Sequence, residues 1–398
     1  MAASKKATPP AKVPPSRTST SGRTALFDDV VLELTNPTSG AVERIVRSQN
    51  YSVKIAMFTQ PATFSIKLSS GDDAAAIAAQ YPPNTSFVLK VNGQVQYEGW
   101  TDGYDVTVDT NGTSLEIKGR DILAPIHDSQ ILKDTSFTGL NASQIVEMAV
   151  KETGLNATVS LDVSKARKTR SGYTLIAYDD PPFTAKQAAR LARAFVNETW
   201  YNFIHRHLEH SGLFLWAAPN KELIISKPDP NKAATYVLRR SAGEIVSVQR
   251  RVDTTKRFAE VYVYARGSTV RKTPKGLHDY KGMVSDPEMK AWGFSKLRTF
   301  RDSGILDDKG AELYAQRKLA QLNRSSMRLT YTVIGHSGNT VDKRRAVWTP
   351  DMMVQVEDPQ VGISGKYWIE SVEFRSPPSL TVLELIRPQD MTFGSDEP

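Results

Sequence analysis

Two hairpin signals in residues 86–119 constrain the fold more than any other feature of the chain. SFVLKV and QVQYEGW flank Asn92-Gly93, and YDVTVD and TSLEIKG flank Thr110-Asn111-Gly112. Asn and Gly tolerate the positive φ angles of a type I′ turn, so each site favours a tight antiparallel hairpin. ALFDDVVLEL, YSVKIAMF and ATFSIKL supply three more strands upstream. Short strands at this spacing predict an antiparallel sheet that closes, or nearly closes, into a small barrel.

The chain changes character after Arg120, where helical patterns begin. LNASQIVEMAVKETG carries a capping Asn141 and a Gln144 at the third helical position, so it predicts a helix. A longer helix is predicted from Thr184 to Gly212, because apolar residues recur there at helical spacing. LFLWA and ELIIS then flank a turn and predict a hairpin. Together these patterns predict an α+β middle domain.

Strand patterns return in the last third of the chain. EIVSVQRRV and RFAEVYVYARG alternate in part, and SMRLTYTVIG, MMVQVED, GKYWIESVEF and LTVLELI follow later. Between the two groups, residues 268–305 are polar with few strand or helix signals, and DDKGAELYAQRKLAQL predicts one helix. The predicted fold class is therefore mainly β with an α+β middle domain between two β regions and a helical insertion in the second β region. No repeat is visible by identity, and whether the two β regions are copies of one small barrel stays open from these patterns alone; the resemblance described below implies two similar β-barrel domains.

Composition excludes several kinds of site. The 398 residues include no cysteine, which removes disulfides, thiolate metal ligands and cysteine nucleophiles. No run of about 18 apolar residues occurs, so no membrane-spanning helix is expected, and the first residues lack the apolar core of a secretory signal. The net charge of +8 includes five basic residues before the first acid, Asp28. We expect residues 1–23 to be a disordered arm, or one that docks on an acidic partner or nucleic acid.

The stretch GRDILAPIHDSQI brings Arg120, Asp121, His127, Asp128 and Ser129 together in one short segment. These residue types occur in hydrolase sites. However, a catalytic triad needs a nucleophile, a base and an orienting acid that converge from different directions, which chain neighbours rarely do. No G-x-S-x-G elbow occurs either. We therefore interpret the aspartates as caps of turns or helix starts, and the arginine as their salt-bridge partner.

HRHLEH, with His205, His207 and His210, raises the question of a metal site. On a helix these three side chains point in different directions, unlike the i, i+4 histidines of an H-E-x-x-H motif. The segment also lies at a predicted helix C-terminus, where the helix dipole favours histidine. We predict no catalytic, metal or cofactor site, and we expect that the chain is not an enzyme.

Several longer pieces of sequence occur in a particular order. They are QVQYEGWTDGYDVTVDTNGTSLEIKGRDILAPIHDSQI, LNASQIVEMAVKETGL, FTAKQAARLARAFVNETWYNF with GLFLWAAPNKELIIS, VQRRVDTTKRFAEVYVYARG, SDPEMKAWGFSKLRTF, AVWTPDMMVQVEDPQVGISGKYWIESVEF and TVLELIRP. In this order they resemble the central baseplate hub proteins of Mu-like contractile-tailed phages, over residues 25–388. That family is grouped with late control proteins and with the hub portion of type VI spike proteins. The basic arm and the KARKTR loop at 165–170 depart from the family pattern.

The resemblance implies a structural hub in the form of a trimeric ring with a central channel. Two similar barrels per copy would let this threefold ring match a sixfold tail tube above and a threefold spike below. The partners implied are two further copies of the chain, the tail tube or a tube-initiator protein, the central spike and the surrounding baseplate wedge proteins. The tape measure protein and DNA would pass through the channel. The implied location is the virion tail baseplate, or a phage-derived injection particle, after synthesis in the host cytoplasm, with no cofactor.

The expected division of the chain follows from the patterns and the resemblance together. It comprises a basic arm (1–23), a first β-barrel (24–122), an α+β middle domain (123–238), a second β-barrel (239–267 and 325–390), an insertion with one helix (268–324) and a C-terminal tail (391–398). Tyr and Arg are enriched at protein interfaces. The candidate subunit or partner interface residues are therefore Arg250, Arg251, Phe258, Tyr262 and Tyr264, together with Arg120 and Asp121 at the corner.

Two other functions stay open at this point. A tail-associated cell-wall hydrolase would need a catalytic insertion, for which only residues 268–305 offer room, and no Glu/Asp pair stands in a recognisable glycosidase setting. A basic nucleic-acid-binding β protein has weak support from KARKTR and RRVDTTKR, without a groove-reading helix. A zymogram separates the first alternative from a hub. A salt-titrated DNA-shift assay, with and without residues 1–23, separates the second.

Overall fold

In this computed structural model of the chain, the described residues run from 28 to 391. They exclude residues 47, 59–60, 70–72, 111, 161–166, 169–173, 176–192, 212, 228, 266–279, 303–304 and 306. The fold is mainly β. None of the helices within the described ranges is long and apolar enough to cross a membrane.

Seven strands and one helix make up the first barrel. They are β1 (Val30–Thr35), β2 (Val42–Ile45), β3 (Asn50–Ala56), β4 (Thr63–Ser69), α1 (Asp73–Gln80), β5 (Ser86–Val91), β6 (Gln94–Asp109) and β7 (Gly112–Asp121). The strands pair antiparallel in the order β2-β1-β5-β6-β7-β4-β3. Asn92 and Gly93 have φ angles of 49° and 76°, as the predicted type I′ turn requires. Both predicted hairpins are confirmed, and they share the long strand β6.

The middle of the chain has its own core. Its elements are α2 (Ala124–Asp128), β8 (Thr135–Ser136), α3 (Ala142–Glu152), β9 (Thr158–Ser160), β10 (Arg167–Lys168), β11 (Thr174–Leu175), β12 (Arg193–Ala194), α4 (Trp200–Ser211), β13 (Phe214–Ala218) and β14 (Glu222–Ser226). Asn141 caps α3 in a reciprocal capping box with Gln144, as predicted. Helices α3 and α4 pack on the small sheet β13-β14-β9 through residues such as Ile145, Phe203 and Leu223.

The last part of the chain contains a second barrel and an insertion. Its elements are β15 (Ala234–Arg239), β16 (Ile245–Val252), β17 (Glu260–Ala265), β18 (Tyr280–Ser285), α5 (Pro287–Ala291), β19 (Leu297–Arg301), α6 (Asp308–Ser326), β20 (Met327–Ile334), β21 (Ser337–Thr340), β22 (Arg345–Val347), β23 (Met353–Asp358), β24 (Ile363–Ser376) and β25 (Leu380–Ile386). The second barrel comprises β15, β16 and β20–β25, whose pairings run β22-β21-β15-β23-β24-β25-β20-β16.

The two barrels repeat one strand order. The run β5-β6-β7-β4-β3 in the first corresponds to β23-β24-β25-β20-β16 in the second, and every neighbouring pair in both runs is antiparallel. The second strand of each run is long and shifts register near its middle, at Thr101/Gly103 in β6 and at Ile369/Ser371 in β24. The predicted pair of similar barrels is thus confirmed. They differ where β1 pairs antiparallel with β5 but β15 pairs parallel with β23.

A direct strand pairing joins the two barrels. The C-terminal half of β24 pairs antiparallel with β3, from Ser371 opposite Ala56 to Ser376 opposite Tyr51. Val53 and Phe374, which face each other in this pairing, are both fully buried. One hydrophobic core therefore runs through both barrels. This core positions the outer edges of the barrels relative to each other.

Two expectations from the sequence are corrected by the structure. The continuous helix predicted from Thr184 to Gly212 is interrupted, because residues 193–199 form a short strand and a turn in which Asn197 has a φ of 71°, and α4 begins at Trp200. Residues 184–192 lie outside the described residues. The described residues of the insertion contain two helices and two strands, where we expected one helix. Strand β17, which we expected in the second barrel, pairs instead with β18 and β19 of the insertion.

A buried hydrogen-bond chain crosses the junction and predicts a pH effect on stability. His336 is fully buried, and its Nε2 lies 2.6 Å from the hydroxyl oxygen of Tyr51 on β3. Its Nδ1 lies 3.1 Å from Thr381 Oγ1, whose hydroxyl donates to Gly335 O at 2.6 Å. Because that hydroxyl proton is already used, His336 Nδ1–H donates and Nε2 accepts from Tyr51, which is the neutral imidazole. Burial keeps the pKa of His336 below its ordinary value of 6.5, despite the nearby Asp28.

His336 contributes a loss of stability as pH falls below 6.5, because the unfolded chain then binds a proton that the folded imidazole resists. Asp121 and Glu370 contribute in the opposite direction over the same range, since burial raises the pKa of each to about 7. The contribution of His336 is therefore the difference between the native chain and a His336 variant. Urea unfolding at several pH values between 5 and 7 should show this contribution as a difference in slope between the native chain and His336→Gln. His127→Gln, whose side chain is 42% exposed, should keep the slope of the native chain. An unchanged slope in the His336 variant would contradict the assignment.

Candidate functional site

The corner after β7 is held by the buried carboxylate of Asp121. Its Oδ2 accepts the backbone N–H of Ala62 at 2.8 Å, and its Oδ1 accepts that of Leu123 at 2.9 Å. The side chain is only 1% exposed. Burial raises the pKa of Asp121 to about 7, although the two N–H donors favour the charged form. Asp121 thus ties the start of β4 to the turn before α2, and it does not reach the surface where a partner would bind.

Arg120 forms ion pairs with the other two acids of this corner. Its guanidinium donates to Asp102 Oδ1 at 2.7 Å and to Asp128 Oδ2 at 2.6 Å. The hydrogen bond from Arg120 lowers the pKa of Asp128. His127 Nδ1 lies 3.0 Å from Asp128 Oδ1, and the backbone N–H of Ser129 donates to Pro125 O at the end of α2. The arrangement is a charge-paired corner rather than a nucleophile with its base.

The three histidines of HRHLEH do not converge. His207 is 1% exposed and packs edge-on against Phe203, with ring centroids 4.8 Å apart. His205 is exposed and lies beside Tyr201. The side chain of His210 lies outside the described residues. Within the described part of the chain, no three His, Asp or Glu side chains are grouped as metal ligands would be.

A cleft of about 260 Å³ lies between α6 and the β24–β25 hairpin. Its walls carry Glu370, at the bulge of β24, and Glu384, together with Arg324 and Arg328. Burial, followed by the charge of Glu384, raises the pKa of Glu370 to about 7. Ser371 Oγ donates to Glu384 at 3.0 Å. The cleft is therefore a mixed-charge pocket in which the arginines offset the carboxylates.

The interface candidates on β16 lie at an edge of the second barrel. Arg250 and Arg251 are both exposed. Val246 and Val252 on the same strand are 52% and 48% exposed. Among the described strands, β16 pairs with β20 on one side, and no pairing is seen on the other. Exposed valines on an unpaired edge are a feature of strands that pair with another chain.

The aromatic candidates lie elsewhere, Tyr262 and Tyr264 on β17 of the sheet β18-β17-β19 and Phe258 just before β17. Tyr262 and Tyr264 stack with centroids 6.4 Å apart, and Lys281 Nζ lies 5.2 Å from the Tyr262 ring centre. Phe258 is covered by Lys296 Nζ at 4.6 Å and by the Arg298 guanidinium at 5.8 Å. These rings already have cation partners within the chain. The structure thus does not group them with Arg250 and Arg251 on β16, nor with Arg120.

The C-terminal half of β6 is an exposed edge that sequence reasoning missed. Tyr104, Val106 and Val108 are 38%, 42% and 76% exposed, and they alternate along the strand, so they share one face. The alternation in YDVTVD correctly predicts a strand. It does not predict exposure, because an apolar alternating face is ordinarily buried.

Comparison with known proteins bears on the fold. No protein-family model matches the chain, and no curated protein matches it. Among solved structures, the 43 kDa tail protein of prophage MuSo2 from Shewanella oneidensis matches with a TM-score of 0.68 and 19% identity, over 92% of this chain and 99% of that one. A tail protein from Neisseria meningitidis matches with a TM-score of 0.66 and 20% identity, over 92% and 99%.

The chain has the fold of phage tail proteins. An Escherichia coli component of the type VI secretion system, described as structurally similar to the bacteriophage T4 tail proteins gp27 and gp5, matches with a TM-score of 0.51 and 11% identity, over 89% of this chain and 76% of that one. The resemblance to tail hub proteins seen in the sequence is therefore confirmed at the level of the fold.

The corner geometry predicts that Asp121→Asn destabilises the chain. An amide has one accepting oxygen, so the backbone N–H of Ala62 or of Leu123 loses its partner inside the protein. The expected cost is about 1–3 kcal/mol in the free energy of unfolding, measured by urea titration. Asp128→Asn is the matched control, because this side chain is 52% exposed and Arg120 keeps Asp102. Equal losses in the two variants would contradict the structural role of Asp121.

Proposed function

We propose that the chain is the structural hub of a contractile phage tail baseplate, or of a phage-derived injection particle. The observation that carries the proposal is the tandem of two barrels with one strand order, joined through β3 and β24 within a single chain. Two similar units per chain give a threefold ring six similar units. Such a ring can match sixfold symmetry on one side and threefold symmetry on the other.

The proposed assembly is a homotrimer with pseudo-sixfold symmetry around a channel. The tail tube or a tube-initiator protein lies above it, the central spike below it and baseplate wedge proteins around it. The channel is the route of the tape measure protein and DNA. The chain acts in the virion tail baseplate after synthesis in the host cytoplasm. The likeness to the two prophage tail proteins and to the type VI component supports this proposal through the fold.

We also propose that the hub role is not enzymatic and that the chain divides at the boundaries expected from its sequence, except that β17 belongs with the insertion. The paired charges of the corner at Arg120 support the first point. Exposure of Arg250 and Arg251 on an unpaired edge keeps these two residues as interface candidates. Asp121 is withdrawn from the candidates because its side chain is buried.

The native mass of the purified full-length chain tests the hub. We expect a particle of three 44.1 kDa chains with a central hole in negative stain, alone or after addition of the trimeric spike protein. Light scattering after size exclusion gives the mass. A chain that remains a monomer in the presence of the spike would contradict the proposal. A clear zone in a cell-wall zymogram would contradict the absence of enzymatic activity.

A further inference from the structure

The junction between the two barrels of one chain shows how two such barrels join. In it, the C-terminal half of β24, beyond its bulge, pairs with β3. Glu373 lies opposite Lys54, and Phe374 lies opposite Val53. Burial acts to raise the pKa of Glu373, but hydrogen bonds from Arg375 and Ser52, with smaller contributions from the charges of Arg375 and Lys54, lower it overall. The junction therefore combines backbone pairing, a pair of buried apolar residues and a pair of opposite charges.

The bulges give a residue-by-residue correspondence between β24 and β6. In each strand the N-terminal half pairs with the preceding strand, β23 or β5, and the bulge follows. Aligning the two bulges places Gly103 at the position of Ser371. Asp105 then corresponds to Glu373, and Val106 corresponds to Phe374.

The same alignment relates β16 to β3. In the first barrel, Thr101 is linked through Gly119 and Phe64 to Val53 by successive cross-strand pairs. In the second barrel, the same path runs from Ile369 through Leu385 and Leu329 to Arg250. Arg250 therefore corresponds to Val53, and Arg251 corresponds to Lys54.

Each barrel thus has one half of a junction in use and one half that lacks a strand partner among the described residues. Beyond Gly103, the described strand partner of β6 is β7, and the described strand partner of β16 is β20. The corresponding edges of β24 and β3 are joined to each other. The unpaired edges carry exposed apolar side chains, with Val108 76% exposed on β6 and Val252 48% exposed on β16.

We propose that β6 of one copy of the chain pairs antiparallel with β16 of the next copy, in the register of the internal junction. Asp105 then lies opposite Arg251, Val106 opposite Arg250, and Val108 opposite Val248. Tyr104 lies opposite Val252, which covers two exposed apolar side chains. This inference rests on the proposed ring and names the strands, the residues and the register that close it.

Charge complementarity supports a second copy of the chain as the partner of these two edges. On its own ladder Asp105 lies opposite Glu116, and Lys118 Nζ lies 2.7 Å from Asp105 and 3.6 Å from Glu116. Arg251 lies opposite Arg328, and its guanidinium lies 3.7 Å from Asp253. Like charges directly opposite each other destabilise a sheet, and opposite charges stabilise it. The proposed pairing brings the acidic pair beside the basic pair, with Asp105 facing Arg251 as Glu373 faces Lys54. The interface is heterologous, so repeated use of both edges generates a ring when the rotation closes.

Arg250 is a clear departure from the internal junction, where Val53 holds the corresponding position. Its Nη1 donates to Val361 O at 3.2 Å, so the guanidinium is held against the second barrel of its own chain. The aliphatic part of an arginine side chain covers apolar surface while its head stays polar. Arg250 can therefore pack its stem against Val106 of the neighbouring copy.

The absence of cysteine from the chain allows a clean cross-linking test. The variant with Val106→Cys and Arg250→Cys places the two thiols opposite each other between copies, at a Cα separation that a disulfide spans. Under mild oxidation we expect reducible dimers and trimers on a denaturing gel. The matched control combines Val106→Cys with Val248→Cys, which is two residues out of register on the same strand. It should cross-link about tenfold less efficiently, because a disulfide tolerates little displacement of its two Cα atoms.

Charge reversal gives an independent measurement. Asp105→Arg or Arg251→Asp alone should raise the chain concentration at half-assembly by about tenfold, because like charges then face each other. The two changes together should restore assembly, whereas Arg344→Asp, at an 83% exposed position outside both edges, should leave it unchanged.

The failures of the two proposals are distinguishable. A trimeric ring that shows no cross-link between positions 106 and 250, or an equal cross-link in the shifted control, overturns the proposed pairing and leaves the hub intact. A chain that stays monomeric and without cross-links in the presence of the spike overturns both.

Discussion

The antiparallel pairing of β3 with β24 is the contact on which the arrangement of the two barrels depends. Six residue pairs join strands from opposite ends of the chain. Because Val53 and Phe374 meet there with no exposure to solvent, the pairing also merges the two cores into one. The relative position of the barrels is thus set by a shared sheet and core, which leave less freedom than a flexible linker would.

The bulges in β6 and β24 explain how one strand can pair with two neighbouring strands on the same side. A bulge adds one unpaired residue and bends the strand, so the two halves of β24 point toward different partners. Its first half pairs with β23 and its second half with β3. Strand β6 has the same construction, but the described residues occupy only the first of its two positions on that side. The C-terminal half of β6, which lacks a described partner on that side, is therefore the counterpart of the half of β24 that pairs with β3.

Polar groups in this structure mainly hold corners and edges in place. Asp121 satisfies two buried N–H groups where the first barrel meets the middle domain. Arg120 donates hydrogen bonds to the neighbouring carboxylates of Asp102 and Asp128. His336 links Tyr51 of the first barrel to Thr381 of the second. Each of these contacts stabilises a junction, which is consistent with a protein whose proposed task is to hold its neighbours in a fixed geometry.

Local patterns in the sequence determined most individual elements. Asn92-Gly93 specified a hairpin because few residues adopt two consecutive positive φ angles. Asn141 specified the start of a helix because its side chain replaces a missing backbone acceptor. The fold class followed from the order of such elements and from the resemblance to tail hub proteins. The corner at Asp121 was also readable, since near-consecutive polar residues rarely form a triad.

Tertiary structure alone decided which strands meet and which edges stay unpaired. The pairing of Ser371 with Ala56 joins residues from opposite ends of the chain, and no local pattern specifies a contact over such a separation. Residues 193–199 have helical spacing in the sequence, yet the tertiary fold places them in a strand and a turn. Tyr104 and Val106 read as an ordinary buried face, and only the assembled sheet leaves them exposed. Period-two alternation specifies the two faces of a strand, whereas its partners depend on packing across the whole molecule.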